Sequence, residues 1–285
     1  MVGKSLDKVV TTGGSRPFNP TFADVLMNSI VEKHGCIVRP EEGFISMDNL
    51  FCDPACGGVP YTNFLMITGE PDYHKSTDTP ERLSRENLEK SVAILEEYLM
   101  RLCNADCESA CDIAHLVVQD CSKRLKEAAA EKRMRVLEES FATLGSVSRL
   151  VRNHSEEEKK RVEETLEKCR NELQLLYDGL EKKAFICPAE LPEGYRSSIP
   201  QRMVRGCFST EKYMRDISAI PPGLLPEIHG WCASPWLENL FYLMDGKTPL
   251  GELFRLLHIS GFPVEKEHFM EMVLFLERDG MIRFL

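Results

Sequence analysis

Asp72-Tyr73-His74-Lys75-Ser76-Thr77-Asp78-Thr79-Pro80-Glu81-Arg82 sets a lone histidine in a loop, two turn-forming Asp/Thr/Pro steps ahead of a segment with helical periodicity. Pro80 fixes its own φ and steers Thr79 toward extended backbone, so the loop is stiff. A neutral imidazole held on a stiff loop is a good zinc donor, although a loop histidine standing alone is most simply a solvated side chain. Ser84 follows as an N-cap, and the spacing predicts a helix whose core stripe is Leu88, Val92, Leu95, Leu99 and Leu102.

Upstream of the loop the chain reads as α/β over residues 1–104. Phe22, Val25, Leu26, Ile30 and Val31 recur at helical spacing between Pro20 and Lys33. Gly43 to Ser46 and Asn63 to Thr68 read as short buried strands, joined by a loop rich in Asp, Pro, Cys and Gly.

Several motifs follow one another through this region: Met1-Val2-Gly3, the Gly43 to Asp53 loop, Gly58-Val59-Pro60, and Tyr73-His74 with Asp78-Thr79-Pro80-Glu81. In that order, over roughly the first hundred residues, they resemble the dinuclear-zinc aminopeptidases of the bacterial leucyl aminopeptidase and glutamate carboxypeptidase type. The resemblance implies attack of zinc-bound hydroxide on an N-terminal peptide bond, which requires a carboxylate-bridged metal pair and a general base. It makes His74 a metal ligand and Asp48 a candidate pocket carboxylate. Asp48 and Asp53 read equally as turn residues of the loop.

The sequence departs from the family pattern at two points. The loop histidine of the family is replaced, because Asp48 is followed by Asn49. The other metal ligands and the general-base glutamate of the family lie ahead of the position matched by Met1, so only His74 has a counterpart. Catalytic zinc takes about three protein ligands and an open position. The expectation is therefore an aminopeptidase-like chain that is inactive alone and does not stably bind zinc alone. It would act on a peptide substrate only if an N-terminal half completed it. A sheet without its central strands would also expose edges and apolar faces, favouring association.

Beyond Asp106 the sequence changes to long charged helices, predicted as an antiparallel helical hairpin over 105–184. Ser155 with Glu158 forms a capping-box pattern. Val162, Leu166, Cys169, Leu173, Leu176 and Leu180 then form a heptad seam, facing a stripe from Val118 to Leu144 on one preceding arm. Residues 185–230 read as an irregular Pro-rich connector. Residues 231–285 read as three short helices and a terminal strand, the order of a small winged-helix-like α+β domain. These regions support the alternative function, a non-catalytic protein-interaction or assembly module, with a protein partner or homo-oligomer formed through the hairpin.

Charge and composition exclude other classes. The net charge of −10 argues against a chain-wide nucleic-acid surface. From Pro235 onward the sequence has five basic and eight acidic residues, a net of −3, and the third helix carries Glu267, Glu271 and Glu277. Phosphate binding needs the opposite sign, so no nucleic-acid partner is expected. No apolar run is long enough to span a membrane, and the N-terminus lacks the apolar stretch of a secretory signal, which sets a cytoplasmic expectation.

The 11 cysteines are odd in number and contain no Cys-x-x-Cys, so they are expected to be reduced. Cys52 and Cys56 lie near His74, but a thiol nucleophile needs an oriented base that the sequence does not supply; they read as loop cysteines. Cys103, Cys107, Cys111 and His115 are four apart, with Asn104-Ala105-Asp106 as a candidate helix break. One helix cannot wrap such a row tetrahedrally around a metal, so the cysteines read as small apolar packing residues.

Overall fold

The computed structural model describes residues 9–13, 20–41, 59–65, 75–77, 79–181, 183, 190–204, 208–228 and 233–285. These residues are mostly helical, with small sheets. They fall into two compact units, one drawn from 1–45, 60–129 and 136–181, the other from 46–59, 130–135 and 182–285.

The first unit opens with β1 (Val9–Gly13), α1 (Phe22–Lys33) and β2 (Ile37–Glu41), and β2 lies parallel to β1. A parallel neighbour requires a crossover, and α1 supplies it. β3 (Asn63–Leu65) pairs antiparallel on the other side, giving the order β2-β1-β3. Val10 and Thr12 of β1 are fully buried, and the Thr12 hydroxyl donates to Asn28 Oδ1 at 2.5 Å, tying the central strand to α1. The predicted stripe of α1 is buried as its spacing requires: Phe22, Val25, Leu26, Ile30 and Val31. The helix stops at Gly35, whose φ of 70° lets Cys36 N–H reach the Val31 carbonyl at 3.1 Å. Of the two predicted strands, Asn63 to Thr68 is strand over Asn63–Leu65, and Gly43 to Ser46 lies outside the described residues. The sequence reading missed β1 and β2.

α2 (Arg85–Cys103) begins where expected, with Ser84 Oγ accepting from Asn87 N–H at 3.3 Å. It ends at Asn104, and α3 (Cys107–Glu127) restarts with Asp106 as N-cap, accepting from Ser109 N–H at 2.8 Å.

The single long arm predicted next is two helices. α3 ends at Ala128, and α4 (Arg133–Val147) runs back along it; a short 3-10 turn (Ser148–Val151) then leads to α5 (Glu156–Gly179). α3 and α5 therefore run in the same direction: Cys107 meets Glu158 and Cys111 meets Thr165, each pair ascending together. The hairpin expectation is corrected to an up-down-up bundle, because Ala128 to Lys132 turns the chain before α4. The α5 capping box forms as predicted, with Ser155 Oγ accepting from Glu158 N–H and the Glu158 carboxylate accepting from Ser155 N–H. Val162, Leu166, Cys169 and Leu173 are buried as expected, followed by Tyr177, while Leu176 is half-buried.

In the second unit the 185–230 stretch is not irregular throughout. It contains α6 (Glu193–Arg196), β4 (Pro200–Arg202), α7 (Glu211–Arg215) and α8 (Leu225–Ile228). α9 (Pro235–Leu243), α10 (Leu250–Ile259) and α11 (Lys266–Arg278) follow, then β5 (Ile282–Phe284). β5 pairs antiparallel with β4 rather than folding as a separate wing, and Asp245 bridges to Gln201 on the same small sheet. The core includes Phe241, Phe254 and Phe269, the last two ring to ring at 4.8 Å.

Candidate functional site

The residues singled out for chemistry lie largely outside the described ones. His74, Asp48, Asp53, Cys52, Cys56 and Asp78 are all in that category. What is described is the frame around them. Val59 and Pro60 lead directly into β3, and the Tyr61 hydroxyl donates to Asn63 Oδ1. Thr79 is extended (φ −115°, ψ 156°), as a residue before proline prefers, and Pro80 opens a short 3-10 turn, Pro80–Arg82. The Glu81 carboxyl is held below its ordinary range by a hydrogen bond to the Thr79 side chain and one to its own backbone.

The thiol row does not come together as one group. Cys103 and His115 are exposed, whereas Cys107 is buried and Cys111 half-buried. Cys107 Sγ donates to the Glu158 carbonyl at 3.7 Å and Cys111 Sγ to Thr165 Oγ1 at 3.4 Å, so both pack in the α3–α5 seam. Burial pushes the Cys107 and Cys169 thiols up, and that of Cys121 to about 11. These are poor nucleophiles. Among the described residues no group of three or more His, Cys, Asp or Glu side chains is arranged to hold a metal ion. A surface concavity of about 690 Å³ beside the α5 N-terminus is lined by Arg149, Arg152, Lys159 and Lys160, with Glu156 and Glu163 among them. Lys159 pairs with Glu156 at 2.7 Å, and the feature reads as a solvated charged face.

The arrangement that stands out is on α2. Its predicted core stripe is not the core: the buried residues are Ser91, Ile94 and Tyr98. Leu88, Val92 and Leu99 are 38%, 56% and 56% exposed, with Leu95 and Leu102 half-buried between the two sets. At about 100° per residue the two sets form one wide apolar arc, of which the body of the unit covers only one side. Glu97 fixes which side. Its carboxylate takes Lys33 Nζ at 2.8 Å, His34 Nε2 at 3.1 Å and Arg101 Nη2 at 2.8 Å. Those contacts, Lys33 first, hold the Glu97 carboxyl down at about 2, against the opposing effect of burial. The Lys33 and His34 contacts pin α2 to the C-terminal end of α1 in a rotation that sends Ser91, Ile94 and Tyr98 inward. Ser91 is buried, and its hydroxyl donates to the Asn87 carbonyl at 2.7 Å. Burial, followed by the Asp24 charge, raises the Tyr98 phenol.

Sequence reasoning found every residue of this stripe and assigned it to the interior. The signal that could have corrected it is the second apolar row, Ile94 and Tyr98, beside Ser91.

No family model, no curated protein and no solved structure matches the chain. No helix of the described residues is long and apolar enough to cross a membrane.

Proposed function

We propose that this chain is a protein-association module whose docking face is the exposed side of the α2 arc. One observation carries the reading: Leu88, Val92 and Leu99 stand exposed in a row, flanked by half-buried Leu95 and Leu102. Single exposed apolar residues need no explanation, but a contiguous row is the usual mark of an interaction surface. The heptad seam of α5 does not serve this purpose, because Val162, Leu166, Cys169 and Leu173 are consumed inside the bundle.

The test is site-specific photocrosslinking in the native cell. A photoreactive residue at position 92 or 99 should give a discrete adduct, whereas one at Leu175, an isolated leucine 73% exposed, should not. Equal yields at all three positions, or none, would remove the reading.

A second reading keeps the resemblance to zinc aminopeptidases. Its support is that Val59-Pro60 runs straight into β3 and that Thr79-Pro80 takes the stiff geometry the ligand loop requires. In this reading residues 1–104 are a zinc-exopeptidase-like α/β half-domain and residues 231–285 a winged-helix-like domain. His74 would donate to zinc and Asp48 would sit at the pocket rim, with peptide as substrate. Hydrolysis needs ligands and a general base beyond His74, so the chain by itself releases no amino acids. Purified chain with added zinc that hydrolyses leucyl peptides, and loses this with His74→Ala, would contradict that statement.

A further inference from the structure

The exposed stripe of α2 has an acidic border on its outer side. Glu89 and Glu96 follow Leu88 and Leu95 in sequence, and both are exposed. The inner border is Ser91 and Tyr98, buried against the unit itself. Building on the association reading, we infer that the occupant of this face is one amphipathic helix of a different protein. It carries apolar residues at alternating three- and four-residue spacing, and Lys or Arg where it borders Glu89 and Glu96.

Size points to a helix. From residue 88 to residue 102 the stripe is about 21 Å long at 1.5 Å per residue. It presents on the order of a few hundred Å² of apolar surface, short of the roughly 800 Å² per partner of a standard interface. A single amphipathic helix laid along a row of this spacing matches both its length and its periodicity.

Charge selects a basic partner. Glu96 has no ion pair among the described residues, and Glu89 has only Arg85, at 2.7 Å with both side chains largely exposed (91% and 64%). An exposed pair of that kind holds its carboxylate weakly and leaves it open to a new cation. The same charges disfavour a second copy. Two α2 helices packed antiparallel about Leu95 would set the Glu96 carboxylates of both copies side by side, and like charges across such a seam are destabilising.

The experiment uses the full purified chain and two synthetic three-heptad peptides with the same Leu/Val stripe. One is flanked by Lys, the other by Glu, and binding is followed by fluorescence anisotropy. The Lys-flanked peptide should bind about tenfold more tightly. Glu89→Lys with Glu96→Lys should reverse the order, and Val92→Asp, checked for folding by circular dichroism, should abolish both. Equal binding within about twofold, or a preference that the charge reversal leaves in place, overturns the basic-helix assignment while the association reading stands. A chain that dimerises and becomes monomeric with Val92→Asp names a second copy as the occupant, with the same consequence. If neither peptide binds and Val92→Asp changes nothing, both fail.

Discussion

The Arg124 guanidinium and the Glu139 carboxylate meet at 2.7 Å, Nη2 to Oε2, although they are 15 residues apart in a chain that is helical on both sides of them. The contact fixes the reversal that makes the helical region a bundle: α3 stops, Ala128 to Lys132 turns, and α4 returns beside it. Glu139 is 11% exposed and Arg124 39%. Removing the arginine therefore takes a charged partner from a carboxylate that is mostly out of water. Arg124→Met should cost about 1–3 kcal/mol in urea unfolding. The double variant with Glu139→Met should cost less than the sum of the singles. Strict additivity would show that the pair does not hold the turn.

The seam between α3 and α5 should carry a much larger share of stability than their outer faces. Leu166 is fully buried, whereas Leu175 on the same helix is 73% exposed. Leu166→Ala should cost about 2–5 kcal/mol and Leu175→Ala no more than about 0.5 kcal/mol. Similar losses at the two positions would contradict the packing described.

Two carboxylates should affect the pH dependence of stability with opposite signs. Glu97 is lowered from 4.5 to about 2 by Lys33, then His34 and Arg101, so its stabilisation is complete above 4.5 and is lost as pH falls toward 2. Glu97→Gln should therefore destabilise at neutral pH and become neutral near the low end of that window. Asp120 is raised above its ordinary 3.8 by burial, with Arg124 opposing and Glu32 adding repulsion. Its ionised form is penalised in the fold, and the penalty appears as pH rises from 3.8 through the raised value. Asp120→Asn should relieve that penalty at neutral pH and bring no advantage at about pH 3. Urea midpoints of both variants across pH check the signs; parallel curves would refute them.

Thiol labelling should separate the described cysteines by burial. Cys103 is exposed, and Cys121 is buried with its thiol pushed up to about 11. Iodoacetamide should modify Cys103 well before Cys121 in the native chain, as read by peptide mass mapping. Comparable rates would mean that the α3 face holding Cys121 opens readily.

Local signals in the sequence translated well wherever one residue decides one feature. Ser84 and Ser155 cap the helices they were expected to cap, and α1 buries its periodic residues. Features set by partners were not legible. β1 and β2 are short, and Val9-Val10-Thr11-Thr12-Gly13 has too few apolar residues to stand out as a strand without its neighbours. The arm expected before α5 keeps helical spacing in Val118, Cys121 and Leu125 and again in Met134 and Leu137, and only the nine-residue step between the two sets, which breaks the phase, marks the reversal. On α2 the stripe was visible, but its direction is set by Glu97 gripping Lys33 and His34, a relationship between two helices. His74 and Asp48, chosen by resemblance, remain attached to that resemblance alone.

The most direct measurement compares stability and binding in one variant, Leu88→Asp/Val92→Asp/Leu99→Asp. A docking face predicts a urea midpoint close to that of the parent chain, since exposed substitutions shift stability by only about 0.5 kcal/mol each, together with loss of binding to the Lys-flanked peptide. A collapse of several kcal/mol, the signature of a charge forced into a core, with peptide affinity unchanged in the fraction that remains folded, would contradict it.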